Sequence, residues 1–548
     1  MAKCGVLIED EHVEEQLAWY EASLPLMERK KRGHFSTPLA LVDQILDACG
    51  YIVGADLAQI RVLDPACGSG NFLAGAAQRL LAFGERTGLS PQERIALVQR
   101  NLWGFDPDPI SCFLAETQIL NHMGAQLITT PVEVGPSRGR NALHPYMEDA
   151  RLTPSLHIHQ ADSLAMPWEA CVDLLVANPP YLAAKNNDLS GYRCAQRRGQ
   201  ADSYLLFLNL ALQVVRPAGW IGLVLPDPIL ARANAAAERA RLLEEFTLHH
   251  LWHLADVFAA DVGAVVIVAQ KCPPQSVHQV TWVRERWQPA PFASQQQVKQ
   301  ALFSRQPGAE FRYLLSQEHG AALERLRAYL DGAPENNGLV APLGTFLTIS
   351  RGEELGRESP HLTHINSSEV SRRGDPVLRG GIDIHPYSAP VADWQIAREA
   401  VIKPLERYLS PKLLVVKSTA RLQAALDLQG HVALQTLYLL HLREQHESAD
   451  QLYFFLALLN SRLLREYVYV LHTAYKWVQP QIEQSVLARL PVPIVEQGYR
   501  QQVIARAKAL AQACSSSGPV VEWDEHIISM YEEQEHAICA LYDIALHT

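Results

Sequence analysis

The chain has 548 residues, of which 48% are hydrophobic and 20% charged, and its formal net charge is −11. This length exceeds what a single hydrophobic core organises, so we expect about two or three domains. No apolar run reaches the length of a transmembrane helix, the first residues lack a signal-peptide pattern, and the nine cysteines include no C-x-x-C pair. These features argue against a membrane protein, a disulfide framework and a zinc site, and they predict a protein of the reducing cytoplasm.

The negative charge is unevenly distributed along the chain. Residues 496–548 contain eight acidic and three basic residues. Short basic clusters occur elsewhere, at Arg29-Lys30-Lys31-Arg32 and at Lys185, Arg193, Arg197 and Arg198. Because local charge governs the binding of a polyanion, the negative total does not exclude a nucleic-acid partner.

A glycine turn near the amino terminus predicts a cofactor site. Residues 12–32 have a helical pattern, and Thr37-Pro38 is typical of a helix start, with proline at the first helical position. A short strand over 60–63 then leads into D-P-A-C-G-S-G at 64–70 and an Ala- and Leu-rich helix. A strand, a glycine turn and a helix form a nucleoside-binding arrangement. The turn lacks the third glycine of the dinucleotide fingerprint and the lysine of a P-loop. Asp64 would repel a pyrophosphate, so the pattern favours the cationic amino-acid moiety of S-adenosylmethionine.

Polar residues follow three further predicted strands. Asp106, Asp162 and Asn178 each come at or shortly after the end of a short apolar run. In a doubly wound sheet, ligands bind at the carboxyl ends of the strands, and an acid after the second strand holds ribose hydroxyls. The order of these residues therefore predicts a single ligand site. A histidine cluster without a nearby cysteine or carboxylate does not predict a metal site: His249, His250 and His253.

The stretch Asn178-Pro179-Pro180-Tyr181 ends the apolar run 172–177. Two consecutive prolines fix φ and remove backbone donors, which leaves carbonyl groups free to accept hydrogen bonds. Asn178 adds a second acceptor, and Tyr181 offers a ring on which a planar group can stack. Two acceptors beside an aromatic ring suit an aromatic amine such as the exocyclic amine of adenine. Taken alone, the same four residues are equally typical of a surface turn.

The sequence pattern of the remaining chain predicts the end of an α/β part and then a segment of different composition. A helix over 202–215 and strands over 221–226 and 264–268 complete the first part, and a Gly/Pro/Asn-rich segment follows. From about residue 340, short β-like runs alternate with loops that carry arginines, among them Arg351 and Arg379. Arginine on loops with aromatic neighbours suits contact with DNA phosphates and grooves.

These motifs occur in an order that resembles the gamma-class adenine-N6 DNA methyltransferases of bacterial restriction–modification and related defence systems. The order is Thr37-Pro38, D-P-A-C-G-S-G-N-F at 64–72, Asp106, Asp162, N-P-P-Y at 178–181 and D-V-F at 256–258. The resemblance is strong over 34–272 and looser over 340–495. It implies an α/β fold: a Rossmann-like doubly wound methyltransferase domain, then an α+β target-recognition domain and a helical carboxyl-terminal tail. The implied segments are an amino-terminal helical segment (1–33), the catalytic domain (34–290), a connector (291–340), the DNA-binding domain (341–495) and the tail (496–548).

The resemblance also implies a role for each motif residue. Thr37 would contact the methionine carboxylate of S-adenosylmethionine, with the rest of its pocket formed by Asp64, Ala66, Gly68, Gly70 and Asn178. Asp106 would hold the ribose hydroxyls, Asp162 the adenine amino group, and Phe207 would pack on the adenine ring. Asn178 and the Pro179 carbonyl would accept hydrogen bonds from the target amine within the rigid turn that Pro180 completes, and Tyr181 and Phe258 would sandwich the base. The residues expected to contact DNA are Lys185, Arg193, Arg197, Arg198, Arg351 and Arg379. Ser203 departs from the family pattern, because relatives often have a bulkier residue there.

The function implied is methyl transfer from S-adenosylmethionine to the N6 amine of an adenine flipped out of double-stranded DNA. Too few residues precede the first motif for a nuclease domain, so a separate nuclease or another defence protein would supply restriction. Two alternatives stay open. One is an N-P-P-Y methyltransferase of RNA or protein, and the other is a non-catalytic DNA-binding subunit of a defence complex.

Overall fold

The computed structural model describes most of the chain and divides it into two compact units, residues 1–313 and 314–548. The described residues are 35–128, 156–183, 189, 191–192, 202–258, 263–317, 319–331, 340–356, 358–365, 374–443, 448–516 and 523–542. Several predictions lie outside them: the helix over 12–32 with its basic cluster at 29–32, and Lys185, Arg193, Arg197 and Arg198.

A nine-stranded sheet forms the centre of the first unit. Its strands are β1 (Val62–Asp64), β2 (Leu102–Asp106), β3 (His157–Gln160), β4 (Val172–Ala177), β5 (Val215–Pro226), β6 (Thr247–Ala255), β7 (Ala264–Gln270), β8 (Gln279–Arg286) and β9 (Gln296–Lys299). They lie in the order β3-β2-β1-β4-β5-β7-β6-β8-β9. The strands β1 to β5 pair in parallel, whereas β7 is antiparallel to both β5 and β6. The strand order reverses direction between β1 and β4, and such a switch point opens a crevice at the carboxyl ends of the strands.

Helices connect these strands, and their starts follow from local sequence. They are α1 (Leu39–Ala48), α2 (Asn71–Arg86), α3 (Pro91–Asn101), α4 (Pro109–Ile128), α5 (Ser203–Val214), α6 (Ala236–Glu245) and α7 (Gln300–Ser304). Ser90 and Glu93 form a capping box at the start of α3, in which each side chain accepts the other residue's backbone N–H. In α5 every residue except Gln213 is buried, so this helix belongs to the core.

The first unit continues beyond the predicted end of the catalytic domain at residue 290. Strand β9 lies in the segment predicted as a connector, and it pairs with β8. Within β9 only Val298 is buried, so its Gln-rich sequence gives little of the apolar alternation by which a strand is recognised.

The second unit combines short strands with helices, as an α+β domain does. Its strands are β10 (Val340–Pro342), β11 (Leu347–Arg351), β12 (Leu362–His364), β13 (Gly374–Leu378), β14 (Trp394–Ala397), β15 (Lys412–Val416), β16 (Ala424–Asp427), β17 (Val432–Ala433), β18 (Leu437–Leu442) and β19 (Pro491–Pro493). Its helices are α8 (Gly320–Leu330), α9 (Leu343–Phe346), α10 (Glu406–Leu409), α11 (Gln451–Asn460), α12 (Arg462–Leu471), α13 (Gln484–Ala488), α14 (Gln497–Ser516) and α15 (Glu525–Leu541). The strands form the sheets β11-β18-β15-β16 and β12-β14-β13-β17 and the pair β10-β19.

The two units together confirm the predicted fold class, an α/β domain followed by an α+β domain and a helical tail. The run over 453–471, which has the pattern of one helix, forms two. Ser461 has an extended backbone, and its side chain accepts the Leu464 N–H at 3.3 Å and so caps α12. In the part of the chain that the structure describes, no helix is long and apolar enough to cross a membrane.

Candidate active site

A cleft of about 350 Å³ opens at the carboxyl ends of the first unit's parallel strands. This volume lies within the range of small-molecule sites. The predicted site residues that line it are Thr37, Asp64, Ala66, Gly68, Asp106, Asp162, Asn178, Pro180 and Phe207. Among the described residues, four other residues predicted to bind the cofactor or the target base are not part of this lining: Gly70, Pro179, Tyr181 and Phe258.

The glycine turn after β1 forms one wall of the cleft. Gly70 precedes α2 with a φ of 94°, and a Cβ at this position would lie 2.7 Å from the Ala115 Cα. Gln118 Nε2 donates to the Ser69 carbonyl at 2.7 Å, and Asn71 Nδ2 donates to the Thr37 carbonyl at 2.9 Å. Thr37 is therefore held against the turn across an interval in sequence of more than thirty residues.

Two buried acids, Asp64 and Asp106, meet at this turn. The Asp106 carboxylate accepts the Gly68 N–H at 3.0 Å and the Asp108 N–H at 2.9 Å, so it fixes the turn while facing the cleft. Burial raises the pKa of Asp64 to about 8; the Ala66 N–H lowers it, and the negative charge of Asp106 raises it further. Because two acids lie close together at one edge of the sheet, the site suits a ligand that carries positive charge and hydroxyl donors.

Asp162 lies on the other side of the cleft, after β3. Its Oδ1 accepts the Leu164 N–H at 3.0 Å, and its Oδ2 accepts the Tyr192 hydroxyl at 2.5 Å. The hydrogen bond that Tyr192 donates to Asp162, followed by burial, raises the pKa of Tyr192 to about 12, so this hydroxyl is a neutral donor. Tyr192 lines the cleft and was not among the residues that the sequence predicted.

The N-P-P-Y stretch follows β4 directly and presents Asn178 to the cleft. Asn178 Nδ2 donates to the Phe35 carbonyl at 2.9 Å, and its Oδ1 accepts the Tyr181 hydroxyl at 3.0 Å. That hydroxyl also lies 3.2 Å from the Val224 carbonyl, and burial raises the pKa of Tyr181. The Asn178 amide is thus held at both ends, with its oxygen at a defined position.

Phe35 is a second residue that sequence reasoning missed. Its ring centroid lies 6.2 Å from that of Phe258, its carbonyl holds Asn178, and its side chain lines the cleft. Phe258 itself packs partly buried against the core of the first unit. A hydrogen bond to a backbone carbonyl can be made by any residue type, so no sequence signal marked Phe35.

The two predicted DNA-contacting arginines that are described lie in the second unit. Arg351 is exposed, with its guanidinium 6.0 Å from the Tyr438 ring centroid. Arg379 has a side chain that is 18% exposed, since its guanidinium lies 4.5 Å from the Trp394 ring centroid and 3.7 Å from Asp383. The fold therefore holds Arg379 more tightly than Arg351.

The three histidines of β6 are buried or half-buried within the first unit. His253 is fully buried, its Nδ1 lies 2.7 Å from the Tyr313 hydroxyl, and burial lowers its pKa to about 3. His249 packs against Trp220 with ring centroids 4.7 Å apart, and burial lowers its pKa to about 4. Across the described residues, no group of three His, Cys, Asp or Glu side chains is arranged to hold a metal ion.

Comparison with known proteins identifies two regions of the chain. Residues 100–258 match the family of the Eco57I restriction-modification methylase, and residues 373–492 match the TaqI-like C-terminal specificity domain. These matches confirm the resemblance to restriction–modification adenine methyltransferases that the motifs predicted. The first region contains Asp106, Asp162 and the N-P-P-Y turn, and the second lies within the segment predicted to recognise DNA.

Individual relatives agree with this assignment. The chain is 25% identical over 265 residues to the type II methyltransferase M.XhoI of Xanthomonas vasicola, which covers 47% of this chain and 45% of that protein. It is 26% identical over 225 residues to the methylase subunit of the type I restriction enzyme EcoEI of Escherichia coli, covering 40% and 38%. Each match thus spans less than half of the relative's length. The type IIL restriction-modification enzyme MmeI, solved in complex with DNA, shares the fold with a TM-score of 0.60 at 12% identity, over 96% of this chain and 78% of that one.

Proposed function

We propose that the protein is a site-specific DNA methyltransferase of a restriction–modification or anti-phage defence system. It transfers the methyl group of S-adenosylmethionine to the N6 amine of an adenine flipped out of double-stranded DNA. The observation that carries this proposal is the Asn178 amide, which is oriented by two hydrogen bonds and opens on the same cleft as Asp64, Asp106 and Asp162.

The cleft fits S-adenosylmethionine on the evidence of its own residues. Gly68 and Gly70 have φ values of 51° and 94°, which lets the backbone of the turn approach a ligand closely. Asp64 is an acid whose pKa is raised by burial, and a cationic methionine moiety would stabilise its carboxylate. Asp106 and Asp162 offer acceptors for ribose hydroxyls and an adenine amine, and Phe207 offers a ring. When bound, S-adenosylmethionine supplies an electrophilic methyl group.

The protein's own contribution to the reaction is positioning and electrostatics. The lone pair of an adenine N6 is delocalised into the ring. When the N6 amine donates hydrogen bonds to Asn178 Oδ1 and to the Pro179 carbonyl, its nitrogen is favoured in a tetrahedral geometry with an available lone pair. The amine loses its proton after transfer, so the residues need not include a strong general base. Tyr181 and Phe258 are proposed to stack on the base and to offset part of the cost of extruding it, which is a few kcal/mol.

The partners that follow from this function are double-stranded DNA and a separate nuclease or another defence protein. The match of residues 373–492 to a specificity domain supports DNA recognition by the second unit. The basic residues proposed to contact DNA are Arg351 and Arg379 there, and Lys185, Arg193, Arg197 and Arg198 in the first unit.

The test is to express the full chain in a host free of adenine methylation and to map modified bases across the host genome. We expect N6-methyladenine in one short sequence motif. The Asn178→Ala variant should leave the genome unmethylated, because it removes one acceptor, while it still binds S-adenosylmethionine in calorimetry. Methylated RNA or protein without methylated DNA would contradict the proposal, and normal methylation by Asn178→Ala would contradict the mechanism.

A further inference from the structure

Ser203 contacts the residues on both sides of Tyr181. Its hydroxyl donates to the Pro180 carbonyl and accepts the Leu182 N–H at 2.8 Å, and its own N–H donates to the Leu182 carbonyl at 2.9 Å. One side chain thereby bonds one polar atom of each peptide group that flanks Tyr181. Ser203 is 2% exposed, so water does not compete for these hydrogen bonds.

The turn needs such an external partner. Pro179 and Pro180 have no backbone N–H, so the turn cannot hold its own carbonyl groups by backbone hydrogen bonds in the usual way. A hydroxyl is suited to this position because it donates to one peptide and accepts from the next. Ser203 engages the Pro180 carbonyl, and the Pro179 carbonyl is the one proposed above to accept from the target amine.

The backbone that carries Ser203 is held by its helix and by a neighbouring ion pair. It is the first residue of the buried helix α5, and the preceding Asp202 forms an ion pair of 2.8 Å with Arg232. Phe207 lies one helical turn further along α5, so Ser203 and Phe207 share a face of the helix and both line the cleft. The same helix face therefore touches the catalytic turn and the proposed cofactor pocket.

We infer that Ser203 is a positioning residue, which holds Pro180 and Leu182 so that Tyr181 and Asn178 keep the geometry required for methyl transfer. This inference rests on the proposed function.

The test compares Ser203→Ala, Ser203→Val and Ser203→Thr in the full-length protein. Thr and Val add the same volume, and only Thr keeps the hydroxyl, so this pair separates the hydrogen bonds from packing. In single-turnover methylation of duplex DNA, we expect Ser203→Ala and Ser203→Val to lower the rate by about 10- to 100-fold, because the acceptors of the N-P-P-Y turn are then misplaced. The KM for S-adenosylmethionine should stay near the wild-type value, and Thr should restore most of the rate.

Hydrogen–deuterium exchange of the segment containing Leu182 provides a readout independent of activity. Exchange of this segment should be faster in the Ser203→Ala and Ser203→Val variants than in the wild type. In Ser203→Thr it should be close to the wild-type rate. Unchanged rates in Ala and Val, an equal loss in Thr and Val, or unchanged exchange in Val would each overturn the inference. If the wild-type protein transfers no methyl group to DNA, the proposed function fails, and the exchange comparison still decides whether Ser203 holds the turn.

Discussion

The Asn178 amide shows how much a single acceptor depends on neighbours distant in sequence. Because Nδ2 donates to the Phe35 carbonyl, the orientation of the amide is fixed, and Oδ1 is the atom that faces the Tyr181 hydroxyl. A carbonyl oxygen has two lone pairs, so Oδ1 can accept from Tyr181 and from a target amine at once. Tyr181 thus orients Asn178 in addition to its proposed stacking role.

Asp64 is a buried carboxyl group whose protonation would respond to a cation in the cleft. Burial raises its pKa to about 8, above the ordinary value of 3.8. A raised carboxyl pKa means that protonation stabilises this fold at low pH, and that contribution is lost as the pH rises towards 8. A cationic ligand favours the carboxylate, so its binding at lower pH must release the proton.

We therefore predict that the affinity for S-adenosylmethionine increases with pH up to about 8, by at most about tenfold per unit, and then levels off. Calorimetry in buffers of different ionisation enthalpy measures the protons released on binding. Asp64→Asn should release fewer protons than the wild type near neutral pH. Titration of the ligand's own amine is common to both proteins and cancels in the difference. Equal proton release by the two proteins would contradict the assignment of Asp64.

At the scale of elements, the connection from β1 to α2 depends on close packing at Gly70. Its φ of 94° is unfavourable for other residues, and a Cβ would lie 2.7 Å from both the Cα and the Cβ of Ala115. Gly68, two residues earlier, has a φ of 51° but open space where a Cβ would lie. A substitution at Gly68 therefore introduces backbone strain alone, whereas one at Gly70 introduces strain and steric overlap.

We predict that Gly70→Ala lowers the free energy of unfolding by about 2–4 kcal/mol, since left-handed strain and overpacking add. Gly68→Ala, the matched control, should cost only about 1–2 kcal/mol, because strain acts alone. Urea unfolding of the two variants measures the difference. A loss at Gly70 no larger than that at Gly68 would show that α4, which carries Ala115, moves away without cost.

The elements were largely predictable, and the contacts between them were not. The runs that became β2 and β4 are short, apolar and bounded by turn residues, and this local signal places their carboxyl ends correctly. Strand β7 begins as predicted but runs to Gln270, two residues beyond the predicted strand over 264–268. The hydrogen bonds that complete the site join Phe35 to Asn178, Asp162 to Tyr192 and Pro180 to Ser203. Two of these use backbone carbonyls, which every residue type carries, so sequence alone contains no signal for them.

At the scale of the whole molecule, a net charge of −11 has to be reconciled with the proposed binding of a polyanion. The acidic tail contributes much of that charge, with eight acidic and three basic residues over 496–548. DNA affinity must then come from local cationic surface, and each phosphate contact contributes to the dependence of affinity on salt. In the second unit, Arg351 is exposed, whereas Arg379 is largely covered by Trp394 and Asp383.

We predict that DNA affinity falls steeply with salt and that Arg351→Gln lowers the slope of log K against log salt by about 1, through the loss of one phosphate contact. Arg398→Gln is the matched control, because Arg398 is an exposed arginine of the same unit that pairs with Asp375 and is not a proposed contact. Its slope should equal that of the wild type in fluorescence-anisotropy titrations. An unchanged slope in Arg351→Gln, or an equal drop in Arg398→Gln, would show that general surface charge, rather than Arg351, meets the DNA backbone.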